Sequence, residues 1–145
     1  MKMTEVTSGE FAGWHTWPGE PFEHDLIGPF YTKFGQDGDV VCAFRAENRH
    51  MNGGGVIHGG CLMSFADYAL FAIAHEHMGD DEYGLTVAFT SEFLSGPKEG
   101  DLIEARGEVL RAGGSIVFVR GIVYGNGVPC LNFSGTIKRV RPRTS

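Results

Sequence analysis

From Cys61 to Met78 the chain has no Gly or Pro, and Leu62, Met63, Phe65, Ala66, Ala69, Leu70, Ile73 and Ala74 cover most of a helical circumference. The spacing predicts a helix from about Gly59 to Met78, with Gly79 as its terminator. A helix that is apolar nearly all round must be wrapped by other structure. One residue breaks the pattern. Between Arg49 and Glu76, Asp67 is the only acidic, Lys or Arg side chain, and the glycine-rich run NGGGVIHGG stands ahead of it.

The flanking segments read as strands. Gly28–Phe34 and Asp39–Glu47 are joined by the turn dipeptide Asp37-Gly38. Residues 49–60 have no usable periodicity and form a loop. After Gly84, Leu85–Leu94 is a strand, and Asp101–Arg111 alternates Ile103, Ala105 and Val109 against Glu104, Arg106 and Glu108. Ala112-Gly113-Gly114 and Gly125-Asn126-Gly127 turn the chain into Ser115–Tyr124 and Pro129–Val140, an antiparallel meander. Residues 1–26 read as an irregular or partly helical lead-in whose aromatics, Phe11, Trp14, Trp17 and Phe22, pack on the body. A sheet that curls round the helix buries both apolar surfaces at once, so an α+β class follows, in a single domain over 1–145.

Composition removes several classes of function. A net charge of −6 leaves no whole-chain basic field to favour nucleic acid. The start, MKMTEVTSGEF, has no apolar signal core, and no apolar run reaches membrane-spanning length. The three cysteines, Cys42, Cys61 and Cys130, are far apart in apolar runs, which suits buried free thiols in a reducing, cytoplasmic compartment.

The element order, with HGG opening the helix and Asp inside it, resembles the hotdog fold: a curved antiparallel sheet wrapped around one long central helix. The string N-x5-HGG-x6-D (Asn52, His58-Gly59-Gly60, Asp67) is followed by GLTVAF and GD-x-I-x-A-x-G-x-V. Together these resemble the acyl-CoA thioesterases of the phenylacetic-acid-degradation type, over roughly residues 28–140. The resemblance implies hydrolysis of an acyl- or aryl-CoA thioester to a carboxylic acid and coenzyme A. No cofactor is implied, since coenzyme A belongs to the substrate.

The residues support that chemistry on their own terms. Asp67 falls in the third helical turn, too late to cap the N-terminus. A buried Asp is either satisfied by neighbouring backbone and hydroxyl groups or serves as nucleophile or general base in acyl transfer. A backbone N–H at the helix N-terminus is unpaired and lies at the positive end of the macrodipole, suited to polarising a thioester carbonyl. The resemblance assigns that role to Gly59. Asp67 follows Gly59 by eight residues, roughly 12 Å along a helix, whereas a nucleophile must come within about 3.5 Å of the carbonyl carbon. If both act, Gly59 of one subunit faces Asp67 of another in a symmetric dimer. The resemblance implies the same homo-oligomer, a dimer or dimer of dimers.

Three other positions have two readings each. Asn52 either positions substrate or water, as in the family, or stabilises its own turn. His58 is an acid or base, or a hydrogen-bonded lock on the glycine-rich loop. Thr86 falls where relatives carry a hydroxyl that holds the attacking water, or is a β-branched strand residue. Phe65, Phe71 and Phe89 are core by default, with some placed to line an acyl pocket. His75, His77, Glu76 and His50 do not make a metal site, because residues two apart on a helix diverge. Lys138, Arg139, Arg141 and Arg143 are the only basic cluster and offer Arg139 and Arg141 to coenzyme A phosphates, or form a solvated terminus. Two other functions compete: a hotdog dehydratase or hydratase, whose pattern lacks HGG, and a non-catalytic acyl-CoA-binding protein, against which Asp67 argues.

Overall fold

The computed structural model describes residues 2–142, so Arg143 of the basic tail lies outside the described residues. In chain order come β1 (Thr4–Glu5), β2 (His15–Thr16), a wide helical turn (Pro21–Leu26), β3 (Tyr31–Phe34) and β4 (Val40–Arg45). The single long helix, α1 (Gly59–Ile73), follows, and then β5 (Tyr83–Phe93), β6 (Leu102–Ala112), β7 (Ile116–Gly125) and β8 (Val128–Val140). All eight strands join one antiparallel sheet in the order β1-β2-β3-β4-β6-β7-β8-β5. The sheet curves round α1, which packs against β4 through β8. This is the hotdog arrangement expected from the sequence.

The alternation along β6 explains its placement: Ile103 and Ala105 are fully buried while Arg106 and Glu108 face water. Along α1, Leu62, Phe65, Ala66, Ala69 and Leu70 are buried against the concave face. Phe65 meets Phe30 and Phe44 at ring separations of 5.1 and 4.8 Å. Each fully buried side chain of this size contributes about 1.5–3 kcal/mol through area removed from water. At Gly135 of β8 a methyl group would stand 2.3 Å from Leu70 Cδ1, so the missing side chain lets helix and sheet close together. The meander β6-β7-β8 forms as the turns predict, and β5 returns along the outer side of β8 to become a sheet edge.

Two expectations are corrected. The helix stops at Ile73 instead of Met78, and His75–His77 tightens into a single turn with His77 N–H on the Ala74 carbonyl. His75 Nδ1 donates to the Ala72 carbonyl at 3.0 Å, the acceptor that Glu76 N–H would take if the helix continued. The lead-in is also more ordered than expected. β1 and β2 extend the sheet beyond β3, anchored where Thr16 Oγ1 donates to the Phe30 carbonyl at 2.7 Å. Its aromatics do pack on the body, Phe11 stacked on Tyr31 at 4.3 Å and Trp17 edge-on to Tyr68 at 5.1 Å, but Phe22 is 55% exposed. Among the described residues, no helix is long and apolar enough to cross a membrane.

Candidate active site

The N-terminus of α1 leaves one backbone donor free. His58 is the cap: its Nδ1 accepts from Gly60 N–H at 2.9 Å, and its carbonyl accepts from Cys61 and Leu62 N–H. Gly59 N–H has no hydrogen-bond partner among the described residues. A methyl group on Gly59 would lie 2.9 Å from Phe93 Cζ, so glycine lets the Phe93 ring close over the helix start. The Gly60 N–H to His58 Nδ1 bond is the kind of contact the loop-locking reading of His58 calls for.

Asp67 lies two turns further along, half-buried, on the face of α1 turned toward β5. Thr86 Oγ1 donates to Asp67 Oδ1 at 2.6 Å, the short bond expected of a hydroxyl on a carboxylate. Thr86 reaches it because β5 alternates: Thr86 points inward between Leu85 and Val87, which are 52% and 56% exposed. The structure therefore joins Asp67 and Thr86 within one chain. Gly59 stays at the start of the same helix, two turns before Asp67.

Asn52 stands apart from this pair. Its Oδ1 accepts from Gly54 N–H at 2.8 Å and Val56 N–H at 3.3 Å, the turn-stabilising alternative of the two foreseen. The loop it shapes is pinned by the bridge Met51–Ile57, by Ile57 N–H on the Pro97 carbonyl and by His58 N–H on the His50 carbonyl. Buried His50 accepts from Glu47 N–H at Nδ1 and donates from Nε2 to the Ile27 carbonyl, and burial holds its pKa below 6.5. His50 is thus a fastener between loop and lead-in. The basic tail is engaged elsewhere: the Arg139 guanidinium donates to the carbonyls of His77 and Gly113, and Arg141 Nε donates to Glu82 at 3.1 Å. Among the described residues, no group of three or more His, Cys, Asp or Glu is placed to hold a metal ion.

The sequence reading missed one group. Glu23, in the lead-in turn, is half-buried, and its pKa is pushed up to about 7, first by burial, then by the nearby charges of Asp67 and Glu20. Nothing in residues 1–26 signalled it, because that segment has no periodicity from which burial follows. The cysteines are inert thiols: burial raises Cys42 to about 12 and Cys61 and Cys130 to about 11.

A sheet wrapped round one helix, with a free amide at the helix start and a hydroxyl-held carboxylate two turns on, defines the hotdog class of acyl-thioester proteins. Residues 54–128, half of the chain, match the thioesterase superfamily, and the chain belongs to that family. A Pseudomonas aeruginosa protein named "putative esterase" is 32% identical over 65% of this chain and 70% of its own length. Solved structures share the fold. The phenylacetic acid degradation protein of Thermus thermophilus has a TM-score of 0.71 and 21% identity over 83% of this chain and 100% of its own. A Streptococcus pneumoniae thioesterase-type protein, solved with coenzyme A, has 0.68 and 20% over 79% and 88%. A Streptococcus mutans protein bound to acetyl-CoA has 0.70 and 17% over 85% and 99%.

Proposed function

We propose that the chain hydrolyses an acyl-CoA thioester to a carboxylic acid and free coenzyme A, with each active site shared between two subunits. The observation that carries the reading is the unpartnered Gly59 N–H at the start of the helix that also holds Asp67. In this reading, that amide polarises the thioester carbonyl and holds the oxyanion. Asp67 of the other subunit takes a proton from the attacking water or attacks directly, and Thr86 orients its carboxylate. Asn52 and His58 shape the loop that presents Gly59. The coenzyme A bound by the Streptococcus pneumoniae relative and the acetyl-CoA bound by the Streptococcus mutans relative support this substrate class.

A second copy suits the exposed surface. β5 is a sheet edge, and Tyr83, Leu85, Val87 and Phe93 on it, Leu94 just past its end and Met63 on α1 are large apolar side chains left in water by one chain. Together they favour a dimer, alone or paired into a tetramer. The reaction so written needs no metal or redox group, a single domain carries it, and three buried thiols suit the cytoplasm.

Asp67→Asn tests the reading, because it keeps volume and most hydrogen bonding but removes the charge. Thiol release from acyl-CoA should fall by about 10² to 10⁴ with KM nearly unchanged. Near-normal turnover in this variant, or active enzyme of monomer mass by light scattering, would overturn it.

A further inference from the structure

Asp67 and Phe71 lie four residues apart on the face of α1 that the sheet leaves incompletely buried, about 6 Å along the helix. β5 matches this spacing. Thr86 meets Asp67, and Gly84, two residues earlier on the same side of the strand, faces Phe71, whose Cε1 would lie 2.6 Å from a methyl group there. The seam between helix and strand leads from the carboxylate into a cavity of about 280 Å³, lined on the inside by Phe71, Met78 and Gly84. Met3 and Trp17 of the lead-in and Phe34 of β3 supply the other walls. Trp17 is held edge-on to Tyr68, the residue after Asp67, at 5.1 Å, and Phe34 rests on His75 at 4.4 Å. These three wall residues all precede residues 54–128, which carry the family match.

The chemistry of the walls selects what enters. The long side chains that close the cavity are aromatic or thioether, which favours apolar surface taken from water. Two carboxylates, Asp80 and Glu82, stand on its rim, so the phosphates of coenzyme A are repelled from this end of the helix. A dry apolar cavity of about 150 Å³ holds one benzene ring, so the volume here takes about ten carbons.

We propose that this cavity is the acyl pocket of the Asp67 site, that it selects an uncharged apolar acyl group of about ten carbons, and that Met3, Trp17 and Phe34 set the length limit. The inference rests on the hydrolytic reading above and names its substrate class. The motif residues on α1 hold the thioester, and segments outside the matched family region decide which acyl group reaches it. None of the three wall residues touches the reacting atoms.

The test is kcat/KM by thiol release for straight-chain acyl-CoAs of about two to sixteen carbons, on wild type, Phe34→Ala and Phe34→Trp. In wild type each methylene that enters the cavity should raise kcat/KM about three- to fourfold, up to a limit of about ten carbons. The same chain ending in a carboxylate should fall at least about tenfold, because it would face Asp80 and Glu82. Phe34→Ala should move the limit about two to four carbons longer and Phe34→Trp about two shorter, with acetyl-CoA turnover within about twofold in both. A purely structural role for Phe34 would lower all substrates together. A wild type indifferent to chain length, or two variants whose limits stay in place or move the same way, overturns the proposal.

Binding gives a second measurement that needs no turnover. In a Trp14→Phe protein Trp17 is the one remaining tryptophan, and the S-decyl thioether of coenzyme A should change its fluorescence and bind at least about tenfold tighter than the S-methyl thioether. Equal affinity and equal signal for the two thioethers overturn the pocket, whether or not the Phe34 variants fold. Near-normal hydrolysis by Asp67→Asn defeats the hydrolytic reading and leaves the decyl signal at Trp17 to decide the pocket. An inactive Asp67→Asn beside a wild type indifferent to chain length defeats the pocket alone.

Discussion

Replacing Thr86 with valine removes one hydroxyl and little else. Val keeps the branching and volume, suits a strand at least as well, and leaves the backbone pairing of Thr86 with Ile137 in place. What disappears is the 2.6 Å bond to Asp67 Oδ1. Hydrogen bonds to charged groups are worth about 1.5–3 kcal/mol, and a half-buried carboxylate regains part of that from water. A loss of about 1.5–2 kcal/mol remains, equivalent to about ten- to thirtyfold at roughly 1.36 kcal/mol per decade. If the bond orients Asp67 for attack, that loss should fall on kcat, with KM within about twofold. Thr86→Ser keeps the hydroxyl and should recover most of the rate. Steady-state thiol release gives kcat and KM, and urea unfolding of the same samples separates catalysis from folding. A Thr86→Val enzyme within about twofold of wild type refutes the argument, as does a Thr86→Ser enzyme that loses as much as the valine variant.

Gly135→Ala should destabilise the fold by about 1–3 kcal/mol in urea, because the added methyl would lie 2.3 Å from Leu70 Cδ1 at the helix–sheet contact. Glu23 has its pKa raised from 4.5 to about 7, so the folded state holds a proton there that the unfolded chain gives up. Its stabilising contribution is complete below about 4.5 and is lost as pH rises through about 7. Glu23→Gln should therefore melt increasingly above wild type as pH climbs from about 5 to about 8, and a constant difference across that window would contradict it. Replacing Arg139 and Arg141 together should leave competition by free coenzyme A unchanged while lowering the melting temperature, since Arg139 fastens the His77 and Gly113 carbonyls.

What the sequence made legible, and what it did not, follows from the range of each interaction. The apolar circumference of Gly59–Ile73 demanded a wrap, and the period-two alternation of Leu102–Ala112 named one of the strands that provide it. Both signals are local, and both elements fold as read. The end of the helix escaped because it depends on which carbonyl the His75 ring reaches, and Gly79 as a stop signal is silent about that. The bond from Thr86 to Asp67 spans 19 residues, and only a family resemblance suggested that the two belong together. Asn52 shows the reverse case: its turn was visible from local chemistry, and the structure gives its Oδ1 to that turn.

Glu23 belongs to a third kind, since neither periodicity nor motif marks it and only tertiary packing removes it from water. That difference bears on how the site is organised. The motif residues Gly59 and Asp67 lie on one rigid helix whose order is dictated by its own apolar surface. The lead-in that carries Glu23 is fastened by the side chains of Arg49 and His50, three and two residues before Asn52 in the same loop. A change in that loop therefore acts twice, on the presentation of the Gly59 amide through His58 N–H and on the turn that carries half-buried Glu23 through the Leu26–Gly28 carbonyls. The buried His50, with its backbone carbonyl on His58 N–H and its ring on the Ile27 carbonyl, is the residue at which the two effects meet.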